Sequence, residues 1–399
     1  MSEPQRVPNQ EDLDTAAWLT RNVEDALPAG ALARQLARAR ETGEPLRCKL
    51  GLDPTAPDIH LGHTVVLQKL RELQDAGHQV VLLIGDMTAR VGDPSGRDTT
   101  RPVLDDAAID ANAATYREQA FKVLDPARVE VVRNSEWLDM PTGELFGLLR
   151  TTTVAQLLER DDFSKRFASG RPISILELLY PIMQAYDSVA IRADIELGGS
   201  DQKFNVLLGR DMQRAYGERQ QSVLTMPILP GLDGERKMSK SLGNQVGVRD
   251  APGEMYGKLL SLPDAVMPQY YDLLLGEAMP GDLSPRDAKH ALAKRLVERF
   301  HDAAAADGAA AEFEKVFVSK ELPDDIPVVE IPSGEAHLPA VLGIAFGESR
   351  SSARRLLTQG AVRCDGEVVA AEPLDVPAGD LDGRVLQVGK RRFARLKVT

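Results

Sequence analysis

Two short clusters in this chain combine residue types that handle phosphate. The first, LGLDPTAPDIHLGH at 50–63, runs from an apolar stretch through a proline-rich turn to a pair of histidines. That order predicts a strand, a turn and a helix starting near His60, and a helix start offers unpaired N–H groups and a positive dipole end to an anion. His60 and His63 then share one side of the first turn, where both imidazoles can donate to phosphate oxygens. Gly62 between them lets a flat purine approach the backbone. No third ligand sits nearby, so a metal centre is not indicated; a pair of capping or half-buried histidines is the plainer alternative. The second cluster, GLDGERKMSKSLGN at 231–244, sets Lys237 and Lys240 in a loop rich in glycine and serine. Two ammonium groups on a mobile loop can close over a polyphosphate and gain strength as charge moves to the leaving group. Alone, such a lysine pair is better read as an ordinary solvated loop.

A third set is polar residues on an apolar helix. In YPIMQAYD at 180–187, Tyr180, Gln184 and Asp187 stand at i, i+4 and i+7 and share a face, among Leu176, Leu179, Ile182 and Met183. Such a stripe needs partners, either a buried hydrogen-bond network or a polar ligand. GDPSG at 92–96 consists of good turn formers and lacks the spacing of a P-loop.

The elements that must position these residues are those of an α/β protein. From residue 46, short apolar runs alternate with polar-edged helices: LRCKLGLD and HTVVLQKLRELQDAG, then HQVVLLIGD with a helix near 105–124, then VEVVRN. This alternation predicts a doubly wound parallel sheet covered on both faces, with its ligand beyond the carboxyl ends of the strands. Apolar spacing over 12–42 predicts a leading helical segment, and 137–190 reads mainly as inserted helices before the sheet resumes near 191. After 250 the strand signals stop. The expected organisation is a catalytic domain over 1–245, an α-helical domain over 246–321, a proline-rich linker over 322–339 and a small module over 340–399.

Composition bounds the reading further. With 399 residues, 43% hydrophobic and 27% charged, the chain has material for sizeable cores. Its net charge of -12 argues against coating nucleic acid by bulk attraction. Residues 341–399, however, hold ten basic against seven acidic residues, ending in KRRFARLK. Two distant cysteines, Cys48 and Cys364, suggest neither a disulfide framework nor a zinc module, and a reducing cytoplasm is the expected setting. No apolar run approaches the roughly 20 residues that span a bilayer.

HxGH after a strand followed by a letter-perfect KMSKS resembles the paired signatures of the class I aminoacyl-tRNA synthetases. TARVGDPSGR at 88–97, YPIMQAYD at 180–187 and GGSDQKFN at 198–205 extend the resemblance, over nearly the whole chain, to the bacterial tyrosyl-tRNA synthetases. The resemblance implies a Rossmann-like catalytic domain, a helical domain that helps bind the anticodon arm, and a small α+β module similar to the S4 RNA-binding domain. It implies that Asp187 accepts a hydrogen bond from the substrate phenol, and that Tyr180, Gln184 and Asp93 hold the substrate ammonium, with Thr88 in the same site and Gln202 near the reacting carboxylate. ATP would be held by Asp53, Thr55, His60, Gly62, His63, Gly199, Asp201 and the loop residues Lys237, Met238, Ser239, Lys240 and Ser241. Arg354, Arg355, Arg363, Lys390, Arg391 and Arg392 would meet tRNA phosphates. Many relatives carry a tyrosine that also touches the phenol where this chain has Lys49, which leaves the second phenol partner open.

The implied reaction joins tyrosine to ATP as tyrosyl-adenylate, with magnesium arriving on the ATP phosphates and no tightly bound cofactor, and then charges tRNA(Tyr). His60, His63, Lys237 and Lys240 would stabilise the moving charge. A homodimer and no membrane association are implied as well. The competing readings are a tryptophanyl-tRNA synthetase, another nucleotidyl transferase built on HxGH, and a non-catalytic RNA-binding protein derived from a synthetase. Asp187 and the S4-like tail speak against the first, the extra domains against the second, and the complete set of lysines, histidines and tyrosine-site residues against the third.

Overall fold

The computed structural model describes residues 7–54, 58–93, 105–315, 326–389 and 392–399, and the chain divides into two compact units, 1–302 and 303–399. The first unit is built on six strands: β1 (Asp25–Leu27), β2 (Arg47–Leu52), β3 (Gln79–Ile84), β4 (Val129–Arg133), β5 (Ile195–Gly199) and β6 (Ser222–Met226). Their order is β1-β6-β5-β2-β3-β4, parallel throughout except for β1, which runs antiparallel to β6. Strands such as QVVLLI are apolar along their length because helices cover both faces of the sheet.

The chain winds outward from β2 to β4 and then returns to lay β5 on the other side of β2. This is the switch point where a doubly wound sheet opens. β2 and β5 pair only at Cys48 with Ile195 and Lys49 with Glu196, whereas β2 and β3 pair along all six residues. Beyond Lys49 and Glu196 the two strands part, and a cleft forms at their carboxyl ends.

The helices before the switch are α1 (Gln10–Leu19), α2 (Ala31–Thr42), α3 (Leu61–Asp75), α4 (Asp86–Val91) and α5 (Asp106–Ala120). The insertion between β4 and β5 supplies α6 (Ser135–Leu138), α7 (Thr142–Leu149), α8 (Val154–Leu157), α9 (Asp161–Ala168) and α10 (Ile175–Ala190). α11 (Lys203–Ala215) links β5 to β6, and α12 (Pro252–Leu260), α13 (Met267–Tyr270) and α14 (Pro285–Phe300) follow. These last helices fold within the first compact unit, with the Tyr270 hydroxyl donating to the Pro230 carbonyl at 2.7 Å at the entrance to the lysine loop. The sequence boundary at 245/246 therefore does not separate compact bodies.

Two sequence expectations change. The leading helical segment is broken: Leu27 lies in β1, opposite Val223, because the following Pro28 disfavours helical geometry at Leu27. The proline-rich stretch 322–339 is not a linker across its described part. Val328–Ile331 forms β7, Glu335–His337 forms β8, and Pro327 and Pro332 flank β7 rather than interrupt it.

The second unit holds α15 (Ala303–Phe313), α16 (Leu338–Phe346) and α17 (Arg350–Thr358) with β9 (Val362–Cys364), β10 (Glu367–Val368), β11 (Asp375–Pro377), β12 (Val385–Val388) and β13 (Arg392–Val398). One sheet runs β10-β9-β12-β13-β7, and β11 pairs with β8. Leu338, Leu342, Leu357, Leu386 and Leu396 fill its core. Asp365 and Gly366 turn the β9–β10 hairpin, both at positive φ.

Candidate functional site

The cleft where β2 and β5 part encloses about 500 Å³. Every site residue expected from the sequence of the first unit lines it, from Asp53 to Ser241, with the exception of Thr55, which lies outside the described residues. The histidine and lysine clusters meet because the segment after the lysine loop pairs with the segment before α3. Leu61 N donates to Val246 O at 2.9 Å, Val248 N to Ile59 O at 3.0 Å, and His60 bridges to Gly247.

At this end His60 caps α3, and the rings of His60 and His63 lie 4.0 Å apart. His63 Nδ1 accepts from His60 N at 3.3 Å, so the proton of a neutral His63 ring sits on Nε2. The His60 ring folds over Gly62, where a Cβ would stand 3.0 Å from its Cε1 and Nδ1. Burial is the main cause that lowers both imidazoles, with help from the Lys237 charge: His63 to about 4 and His60 further. At neutral pH and without ligand both are therefore neutral donors rather than cations. They can donate hydrogen bonds, and the positive charge at this end comes from the loop lysines. Lys237 Nζ stands 3.2 Å from Asp201 Oδ2, and Lys240 Nζ stands 2.8 Å from Asp58 Oδ2 across the cleft.

Asn244 ties the loop together. Its Oδ1 accepts from Ser239 N at 2.8 Å, and its Nδ2 donates to Lys237 O at 3.2 Å and to Asp233 Oδ2 at 3.0 Å. Met238 is buried with its Cβ close to Gly62, while the hydroxyls of Ser239 and Ser241 lie 3.0 Å apart.

At the other end Asp187 is buried on α10. Its Oδ1 accepts from Trp137 Nε1 at 2.8 Å, and its Oδ2 from Asn134 Nδ2 at 3.3 Å. Burial pushes its carboxyl up to about 7, against the opposing influence of Lys49, Trp137 and Asn134. An acceptor fixed by two donors and still facing the cleft suits a ligand hydroxyl. Nearby, Asp53 accepts from Tyr180 Oη at 2.8 Å and from Thr88 Oγ1 at 2.7 Å. Asp93 accepts from Gln202 Nε2 at 2.8 Å and faces Arg160 Nη2 at 3.4 Å. Asn205 Nδ2 donates to both Gln184 Oε1 and Gln202 Oε1 at 3.0 Å. The carboxylates Asp53 and Asp93 with Tyr180 and Gln184 form a polar, acidic end suited to an ammonium.

Sequence reasoning missed Asn134, Trp137, Asp58, Arg160, Asn205 and Asn244. Asn134 carries a usable signal, as a polar residue just past the carboxyl end of an apolar strand. Lys49 does not line the cleft. Arg354, Arg355 and Arg363 are exposed on α17 and β9 of the second unit, and Arg392 there pairs with Glu348 at 2.7 Å. Lys390 and Arg391 lie outside the described residues. Among the described residues no group of side chains is arranged to hold a metal ion, and no helix is long and apolar enough to cross a membrane.

Residues 41–318 match the family described as tRNA synthetases class I (W and Y). The chain is 52% identical over 391 residues to a protein of Moorella thermoacetica named tyrosine–tRNA ligase, covering 95% of this chain and 94% of that one. A Bordetella pertussis protein of the same name is 49% identical, with both chains covered completely. Among solved structures, the tyrosyl-tRNA synthetase of Archaeoglobus fulgidus, described as complexed with L-tyrosine, has a TM-score of 0.59 at 27% identity and covers 74% of this chain and 99% of its own. A C-terminally truncated mitochondrial tyrosyl-tRNA synthetase of Aspergillus nidulans has a TM-score of 0.63 at 23% identity, covering 77% and 95%, and shares the fold.

Proposed function

The chain belongs to the class I tRNA synthetases for tryptophan and tyrosine, and we infer that it is a tyrosine–tRNA ligase whose adenylation site is the cleft between β2 and β5. The observation that carries the site reading is one cleft with a buried hydroxyl acceptor, Asp187, at one end and the His60, His63, Lys237 and Lys240 set at the other. Asp187 takes the tyrosine phenol as a third donor beside Trp137 and Asn134. A phenylalanine would leave that buried acceptor with a desolvation cost and no compensating bond. Tyr180, Gln184 and Asp93 receive the ammonium, with Thr88 and Asp53 bracing Tyr180, and Gln202 lies toward the carboxylate.

ATP enters with its magnesium, which phosphate and water oxygens hold. Gly62, Gly199 and Asp201 take the nucleoside, while His60 and His63 donate hydrogen bonds to the phosphates. The tyrosine carboxylate attacks the α-phosphorus, the bond to the β-phosphate oxygen breaks, and pyrophosphate leaves. A carboxylate nucleophile needs no general base, so the rate comes from alignment and from the two lysines, which must exchange Asp201 and Asp58 for phosphate. The acyl group then passes to the 3′ adenosine of tRNA(Tyr), with AMP leaving.

Exposed Arg354, Arg355, Arg363 and Arg392 support a tRNA-phosphate role for the second unit, and for Lys390 and Arg391 the sequence alone supports it. The inserted helices expose Phe146, Val154, Phe167, Ile175 and Leu176, the last two at 78% and 48%, which supports a homodimer paired through them. The cysteine usage supports a cytoplasmic setting. Pyrophosphate exchange into ATP tests substrate and reaction together: exchange with tyrosine is expected, and exchange that is equal with phenylalanine or tryptophan would refute the reading of Asp187.

A further inference from the structure

Beneath the cleft, behind its lining, lies a buried ion pair that the reaction above does not use. Lys49 on β2 and Glu196 on β5 are register partners, the last before the strands part, with Nζ 2.9 Å from Oε1 and side-chain exposures of 0% and 2%. The other two ammonium protons are also engaged, by Ser188 Oγ at 2.9 Å and by the Gln184 carbonyl at 3.2 Å. An ammonium has three donors, so Lys49 keeps none for a substrate hydroxyl. Glu196 Oε2 in turn accepts from Ser188 Oγ at 2.9 Å and from Gln221 Nε2. Gly209 of α11 lets this cluster close, since a Cβ there would stand 2.8 Å from Gln221 Nε2 and 3.1 Å from Glu196 Oε2.

Gln184 and Ser188 bracket one turn of α10, and Asp187 lies in that turn. We propose that Lys49 is a positioning residue for phenol recognition: paired with Glu196, it clamps the turn of α10 that carries Asp187 and supplies the positive charge facing that carboxylate. This rests on the reading of the cleft as a tyrosine site. Facing Asp187 from the packed elements are Lys49 from β2, Glu196 from β5, Trp137 from α6 and Asn134 after β4. α4 presents Thr88 to Asn134 while its Asp86 turns to Ser135, and α11 presents Asn205 to Gln184. Lys49 is thus the sole cation among these groups, and it acts to lower the Asp187 carboxyl while Glu196 acts to raise it. The phenol is served from beneath the acceptor, not by a second direct ligand.

The test is the pH dependence of kcat/KM for tyrosine in pyrophosphate exchange, which reports the free enzyme's ionisations. The full native chain is measured first, and no tyrosine-dependent exchange there defeats the functional reading itself. In Glu196→Gln the acid limb should move to lower pH, because a raising influence on Asp187 is gone. In Lys49→Met/Glu196→Gln, which removes both charges together, it should move above the native position, because the lowering influence is the larger of the two. From a native carboxyl at about 7, a rise of about one unit cuts the ionised fraction at pH 7 from about one half to about one tenth, a loss of roughly five-fold that shrinks to about 1.3-fold at pH 8.5. A purely structural role would lower activity equally at every pH. An unmoved limb in folded Glu196→Gln, or a pH-independent loss in the double variant, overturns the proposal. If the double variant does not fold, the direction of the Glu196→Gln limb decides alone.

Discussion

Replacing Asn244 by alanine should slow adenylate formation without weakening tyrosine binding. The side chain is 5% exposed and makes two hydrogen bonds to the loop backbone, from Ser239 N and to the Lys237 carbonyl, besides its contact with Asp233. It is the first cause holding Asp233 down at about 2. Counting only the two backbone bonds, at about 1 kcal/mol each, the loop loses about 2 kcal/mol of local order. If all of it falls on the conformation that presents Lys237 and Lys240, the rate drops by about thirty-fold. The Asn244 carbonyl, which accepts from Leu232 N at 2.8 Å, survives the change, so the loop base should stay attached. Rapid-quench measurement of tyrosyl-adenylate gives the rate, and titration of intrinsic fluorescence, with Trp137 beside Asp187 as reporter, gives tyrosine affinity. Asn244→Asp keeps an acceptor for Ser239 but sets a carboxylate against Asp233, and should be at least as slow. An unchanged rate in both variants, or a loss of tyrosine affinity at a normal rate, would refute this account of the loop.

Lys240→Ala should slow adenylate formation by about two to three decades while sparing tyrosine affinity, as expected for a donor acting on developing charge; the reverse pattern in single-turnover kinetics would show the loop misassigned. Ending the chain after Asp302, at the boundary between the compact units, should preserve pyrophosphate exchange and impair tRNA charging, with a shallower salt dependence of tRNA affinity. A folded truncation that charges tRNA at the full rate with an unchanged salt slope would remove the second unit from tRNA binding. Phe167→Asp combined with Ile175→Asp should convert a dimer to monomers in analytical ultracentrifugation, and a persisting dimer would place the contact elsewhere.

What the sequence made legible was local. The strand, turn and capped helix around His60 follow from apolar pattern and turn chemistry within fourteen residues, and the face shared by Tyr180, Gln184 and Asp187 follows from helical spacing alone. The partners of those residues were hidden because they come from far along the chain. Trp137 and Asn134 reach Asp187 across 50 and 53 positions, and nothing near them marks a carboxylate's donors. Lys49 stands in an apolar run, and its partner Glu196 in another; only the register of β2 against β5 joins them. β1 has three residues, too few for a period to show, and exists because β6 offers it an edge. In 328–331 the prolines on either side masked a strand that β13 completes. The neutrality of the histidines depends on burial, which no spacing encodes.

The placement of β1 has a consequence for synthesis. It joins the edge of the sheet at β6, whose residues emerge nearly two hundred positions later, with Glu24 N bonded to Thr225 O at 2.8 Å and Asp25 held by Lys203 and Thr225. At ribosomal speeds of about 5 to 20 residues per second, the N-terminal segment waits on the order of ten to forty seconds for its partner. During that interval it is short, carries Glu24 and Asp25, and stops at Pro28, features that give a waiting chain little to pair with. Once β6 appears, the same stub seals an otherwise open apolar edge, Ser222–Met226, against strands of other molecules. The first strand made therefore has no place to dock until the last strand of its sheet has been synthesised, and it lies there as the cap of an edge.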